Sequence, residues 1–176
     1  MDIDNRYIMT AFGRDRVGIV ADITEVLHEL GCNFEDGNMT RLSDEFVLIF
    51  LFTHPDEIDD DLSAACEHLE KDKGISAFFR MLGSEAMTPD LSLPRHTLHL
   101  EGMDQTGIVY KFSRLLADQG VNILYLQSER RNMPQTGTSM YIVDMDIEIP
   151  LETGIDSLRS AVQALGEEAD VSVKLS

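Results

Sequence analysis

Residues 13–20, Gly-Arg-Asp-Arg-Val-Gly-Ile-Val, recur at residues 102–109 as Gly-Met-Asp-Gln-Thr-Gly-Ile-Val. The offset is 89 residues, from position 13 to position 102. Several other positions keep the same offset: Leu27 with Leu116, Gly31 with Gly120, Asn33 with Asn122 and Arg41 with Arg130. A fixed offset that holds across half of a chain is typical of an internal repeat. The sequence therefore predicts two copies of one domain.

Around each copy of this motif, the apolar pattern predicts the same order of elements. An amphipathic helix follows each first strand, and a left-handed glycine, Gly31 or Gly120, is expected to stop it. Two further strands, a second helix and a last strand complete the order βαββαβ. The predicted bounds for the first half are strands at 7–12, 33–42, 45–53 and 75–82 with the first helix at 18–30. For the second half they are strands at 97–101, 122–131, 138–149 and 168–175 with the first helix at 107–119.

The order βαββαβ predicts an α+β fold of ferredoxin-like type, with a four-stranded antiparallel sheet and both helices on one face. We expect domain 1 at residues 1–83, a linker at 84–94 and domain 2 at 95–176, because the proline-containing turns cluster between the halves. A turn at Ser43-Asp44 and a longer one at 132–137 are expected inside the two halves. Residues 46–50 are apolar on both strand faces, so we expect a cover on the second face of the first sheet. In the third strand of the second half, at 138–149, apolar residues alternate with acidic ones, which predicts that one face of the second sheet is solvated.

Composition and charge narrow the function classes. The 43% hydrophobic content predicts a packed core, and the longest apolar run, residues 46–52, is far shorter than the roughly 20 residues that span a bilayer. The acidic first residues are unlike a secretory signal, and two cysteines are too few for a disulfide framework. We therefore expect a cytoplasmic protein. The formal net charge of −18 disfavours direct nucleic-acid binding, which requires clustered Lys and Arg.

No catalytic site, metal site or cofactor is predicted. His96 and His99 point to opposite faces of a strand, and residues 102–107 lack the Lys and Ser/Thr that follow a phosphate-binding loop. The acidic stretch at 56–61 precedes a helix, where carboxylates stabilise the helix dipole. A metal site or a partner surface at that stretch stays open as an alternative.

A βαββαβ unit that carries Gly-x-Asp-x-x-Gly-Ile-Val, followed by Gly-(Cys or Val)-Asn, resembles the ACT domain family. Two such domains with no attached catalytic or DNA-binding domain are similar to the glycine cleavage system transcriptional repressor family. The resemblance implies an amino-acid-sensing regulatory protein, not an enzyme, that acts through a protein partner in the transcriptional control of glycine and one-carbon metabolism. A homodimer is possible. The alternative is a regulatory subunit or interaction module that tunes a metabolic enzyme.

The resemblance also implies where the ligand binds, namely at interfaces between ACT domains, lined by the first strand-to-helix loop and the start of the second strand. The positions carried over are Gly13, Asp15, Gly18 and Asn33 in the first half, and Gly102, Asp104, Gly107 and Asn122 in the second. The chemistry of the loop adds Arg14 and Arg16, whose guanidinium groups could bind a carboxylate, with Met103 and Gln105 as their counterparts. We therefore expect the first loop to form the more polar site. The residues also allow a purely structural role, in which the Gly, Asp and Asn side chains only shape turns and cap helices.

Overall fold

The structure is a computed structural model that describes residues 4–83, 93–133 and 138–176. The chain divides into two structural units, Met1–Thr88 and Pro89–Ser176. Each unit has the element order βαββαβ. Within the described residues, no helix has both the length and the apolar character of a membrane span.

The first unit is one antiparallel sheet with two helices. Its elements are β1 (Asn5–Arg14), α1 (Ile19–Glu29), β2 (Asn33–Leu42), β3 (Glu45–His54), α2 (Asp59–Lys73) and β4 (Ile75–Leu82). The strand order is β2-β3-β1-β4 with every neighbouring pair antiparallel. Alternate residues of β1, namely Tyr7, Met9 and Ala11, are buried together with Ile23 and Leu27 of α1 and Leu62 and Leu69 of α2. The core therefore lies between the sheet and the helices.

The second unit repeats this arrangement. Its elements are β5 (Arg95–Met103), α3 (Ile108–Asp118), β6 (Asn122–Met133), β7 (Thr138–Glu148), α4 (Ile155–Ala169) and β8 (Val171–Leu175), with strand order β6-β7-β5-β8. Leu98 and Leu100 of β5 and Val143 and Met145 of β7 are buried with Phe112 of α3. Both halves thus confirm the α+β fold of two ferredoxin-like units with antiparallel four-stranded sheets.

Most predicted bounds agree with the structure, and one does not. Gly31 and Gly120 have φ of 77° and 70°, the left-handed conformation expected of helix stops. The last strand was predicted from residue 168, but α4 continues to Ala169 and β8 starts at Val171. The reason is that the segment Gly-Glu-Glu-Ala at 166–169 contains good helix formers, and Asp170 with φ 52° ends the helix. The predicted linker lies largely outside the described residues, as does the tip of the hairpin at 134–137.

The faces of the two sheets that point away from the helices differ, as the strand patterns predict. In the first unit, Val47 and Ile49 on β3 remain 44% and 40% exposed. In the second unit, Asp144 and Asp146 occupy the same face of β7, where they accept hydrogen bonds from His99 and Thr97. The solvated face of the second sheet is therefore confirmed, while the cover over the first sheet stays a prediction.

Candidate functional site

Two matching loops connect the first strand of each unit to its first helix. In the first unit the loop follows β1 and ends at Gly18, and in the second it follows β5 and ends at Gly107. A backbone hydrogen bond anchors each loop to the neighbouring strand or turn, from Asp15 N–H to the Asp44 carbonyl and from Asp104 N–H to the Ser139 carbonyl. The first N–H groups of a helix lack partners within the helix. Each loop therefore ends on a surface that attracts anions.

The glycines of the loops have structural reasons of their own. Gly18 and Gly107 have φ of 88° and 89°, a left-handed conformation that other residues rarely adopt. A Cβ atom on Gly13 would lie 3.0 Å from the Gly74 carbonyl oxygen, and one on Gly102 would lie 3.2 Å from the Asp170 carbonyl oxygen. Close packing and backbone conformation thus explain why these four positions are glycine.

Each loop aspartate is paired with an arginine from the second strand of its unit. Arg41 Nη1 lies 3.2 Å from Asp15 Oδ2, and Arg130 Nη2 lies 2.6 Å from Asp104 Oδ2. The aspartates are the less exposed partners, with 24% and 29% of the side chain accessible, whereas the arginines are about two-thirds exposed at 66% and 63%. The sequence analysis does not include these arginines among the site residues. Their shared offset, the same as that of the loop residues, is the sequence feature that could have identified them.

The two arginines that the sequence proposed as ligand groups are placed differently. Arg16 Nη2 lies 2.6 Å from Asp22 Oδ2 on α1, and Lys73 Nζ binds the other oxygen of that carboxylate at 2.9 Å. Hydrogen bonds from Lys73 and Arg16 hold the pKa of the Asp22 carboxyl below its ordinary value. Arg14 is 82% exposed and lies 3.8 Å from the Asp44 carboxylate. Arg16 is therefore engaged within its own unit, and Arg14 extends into solvent.

The second loop borders an open cleft of about 540 Å³. Its lining includes the loop residues 104–107, the first turn of α3 with Tyr110, and Arg130 and Tyr141 from the neighbouring strands. The Gln105 side-chain amide donates a hydrogen bond to the Ala169 carbonyl at the end of α4. Gln105 thus satisfies a carbonyl group at the end of α4 and also borders the cleft. This cleft lies at the second loop, and the expectation that the first loop forms the more polar site stays a prediction.

Asn33 and Asn122 lie at the opposite end of the sheet from the loop of their own unit. Asn33 pairs with Thr53 while Gly13 pairs with Phe46, and Asn122 pairs with Glu148 while Gly102 pairs with Tyr141. Seven register positions separate the two ends in both units, which corresponds to roughly 23 Å along a strand. Within one unit, the structure therefore does not bring the loop and the asparagine together.

The two thiols do not provide a nucleophile. Burial raises the pKa of the Cys66 thiol to about 11 and also raises the pKa of Cys32. Because the thiolate is the reactive form, both side chains behave as small apolar residues at neutral pH.

Comparisons with known proteins agree with this architecture. Residues 5–80 match the family model described as the ACT domain. A stretch of 46 residues, 26% of this chain, is 44% identical to the glycine cleavage system transcriptional repressor of Escherichia coli, and it covers 24% of that protein. A stretch of 53 residues, 30% of this chain, is 42% identical to a UPF0237 protein of Methanosarcina mazei and covers 58% of it. The matched stretches thus span about a quarter to about three-fifths of these relatives.

Two solved structures share the fold over nearly the whole chain. A protein of Galdieria sulphuraria described as unknown superposes with a TM-score of 0.81 and 26% identity over 98% of both chains. A candidate glycine cleavage system transcriptional repressor superposes with a TM-score of 0.74 and 16% identity, over 99% of this chain and 97% of the other. Residues 5–80 thus match the ACT domain family model, a 46-residue stretch is related in sequence to the glycine cleavage system transcriptional repressor, and the second unit repeats the fold of the first.

Proposed function

We propose that this chain is an amino-acid-sensing regulatory protein and that it acts through a protein partner, not as an enzyme. The ACT domain and the sequence relationship to the glycine cleavage repressor support a regulatory role. The observation that carries the proposal is the arginine–aspartate pair beside a helix N-terminus, present at the same place in both units.

The pair suits the charges of an α-amino acid. Such a ligand carries a carboxylate and an ammonium on neighbouring atoms, and Arg130 and Asp104 carry the complementary charges 2.6 Å apart. A guanidinium binds a carboxylate with two parallel hydrogen bonds, and the Asp104 carboxylate can accept from the ammonium. The N-terminus of α3 adds a favourable potential for the ligand carboxylate. The ligand therefore replaces one ion pair by two, without leaving a charge unpaired.

The other site residues enter this proposal with different roles. The loop residues of both units form the floor of the site through their backbone, with Asp15 and Asp104 as the ammonium acceptors. Arg14 is exposed enough to reach a ligand at the first loop, whereas Arg16 would first have to leave Asp22. Asn33 and Asn122 contribute to a ligand site only where a second ACT domain presents its loop to them. Glycine and serine are the ligands that the repressor relationship favours.

The net negative charge of the chain favours an indirect effect on transcription. A net charge of −18 repels the phosphate backbone of DNA. The proposed regulator therefore binds a protein that contacts DNA, and the amino acid changes that association. Glycine and one-carbon metabolism is the setting that the repressor relationship favours.

Replacing Arg130 by methionine is expected to weaken amino-acid binding at least tenfold, or by about 1.4 kcal/mol, because it removes the group that pairs with the ligand carboxylate. Isothermal titration calorimetry with glycine, serine and a panel of other amino acids measures the change. Arg114→Met is the matched control, since Arg114 is 66% exposed and its ion pair with Asp118 lies along α3. Arg41→Met tests the first loop in the same way. A wild-type protein that binds no amino acid would show that the proposed function is wrong.

A further inference from the structure

The first sheet exposes an apolar surface on the side away from its helices, which we call the open face. Phe12, Val47, Ile49 and Phe78 on this face are 42%, 44%, 40% and 64% exposed. The rings of Phe12 and Phe78 stack with centroids 6.1 Å apart. The corresponding face of the second sheet carries charged side chains such as Asp144. The fold itself therefore does not require an apolar surface at this place.

The size of the open face is close to what a dimer interface needs. An aromatic side chain offers on the order of 150–250 Å² when fully exposed, and an aliphatic one offers less. Scaled by the exposed fractions, the four exposed residues with the half-buried Ile8 and Leu51 give roughly 400 Å². A standard interface buries about 800 Å² on each partner, of which a little over half is apolar. The apolar centre of one such interface is thus already present.

The charges at the two edges of the open face are opposite and lie in one row. Asp36 on β2 pairs with Leu51, Leu51 with Ile8, and Ile8 with Arg80 on β4. The row across the sheet therefore reads acid, apolar, apolar, base. Both Asp36 and Arg80 are exposed. Three strand spacings, roughly 14 Å, separate them within one chain.

We propose that the open face is a homodimer interface, in which two copies of the first unit pack face to face about a two-fold axis parallel to the strands and between β1 and β3. This axis places β2 over β4 of the second copy and β3 over β1 of the second copy. Asp36 then faces Arg80 of the second copy, and the reciprocal pair forms at the other edge. In the row nearer the loop, Val47 faces Phe12 of the second copy. A second copy is the occupant that matches both the apolar centre and the two charged edges.

Charge exchange tests this geometry. In Asp36→Arg or Arg80→Asp homodimers, the axis brings two like charges together at both edges. Each single variant is therefore expected to raise the dimer dissociation constant by at least about tenfold at low salt. An equimolar mixture of the two variants restores two opposite pairs, so it should associate as tightly as the wild type. Analytical ultracentrifugation over a dilution series measures all four samples.

Two apolar variants complete the experiment. Phe78→Lys is expected to abolish the dimer, while Leu151→Lys should leave it intact, because Leu151 is 78% exposed but lies in the second unit, outside the open face. Circular dichroism confirms that each variant is folded. A wild-type protein that is still monomeric at about 100 µM would overturn the proposal. So would a mixture that associates no better than either single variant, or a Phe78→Lys protein that remains dimeric.

Discussion

The Phe112→Ala variant is expected to lose about 3–5 kcal/mol of unfolding free energy in the second unit. Phe112 is fully buried on α3, where it packs among Leu98, Leu116 and Val143. Removing the ring costs its transfer free energy and leaves a cavity that the sheet cannot close, since the strand backbone is fixed by its ladder. Urea unfolding followed by circular dichroism measures the loss.

Tyr110→Ala is the control for this substitution. Tyr110 lies on the same helix two residues earlier but is 72% exposed, so its removal should change the unfolding free energy by less than about 1 kcal/mol. Equal losses for the two variants would mean that the buried side of α3 has been assigned wrongly.

The Gly166→Ala variant is expected to lose about 2 kcal/mol of unfolding free energy. A Cβ atom at this position would lie 2.5 Å from Val173 Cγ2 and 2.7 Å from the Val171 carbonyl oxygen. The carbonyl belongs to the strand backbone and cannot rotate away, so α4 would have to move off β8. Alanine is the better helix former by about 1 kcal/mol, so helix propensity alone would stabilise the variant. A loss of stability would therefore indicate the steric clash.

Gly154→Ala provides the comparison, because a Cβ atom at Gly154 meets no atom within 4 Å and its φ of −64° suits other residues. Its unfolding free energy should stay within about 1 kcal/mol of the wild type, in the same urea titration. If Gly166→Ala were as stable as the wild type or more so, the close approach of α4 to β8 would be contradicted.

The fold was largely predictable because its signals are local and occur twice. The apolar spacing that predicts the first helix at 18–30 corresponds to α1 at Ile19–Glu29, and the glycine stops at 31 and 120 have the expected backbone conformation. The end of α4 was missed because the alternating strand pattern starts only at Val171, whereas residues 166–169 favour helix. Gly166 shows a tertiary constraint that no local pattern reveals.

The site was only partly predictable, since its key contact is not local. Asp104 and Arg130 are 26 positions apart in the sequence, and only the register of β5, β7 and β6 brings them together. Arg16 has the right chemistry for a carboxylate, but Asp22 one turn into α1 engages it first. The asparagines were associated with the loops by resemblance, and the register then placed them at the far end of their own sheet.

Nuclear magnetic resonance tests directly whether a free amino acid binds beside the arginine–aspartate pair. Amide shifts of the ¹⁵N-labelled protein are followed while glycine is added, with N-acetylglycine and glycinamide as controls that each lack one ligand charge. We expect saturable shifts at residues 104–110 and at Arg130, stronger with glycine than with either control, and lost in Arg130→Met. Shifts of equal size with all three compounds, or shifts confined to residues away from both loops, would contradict it.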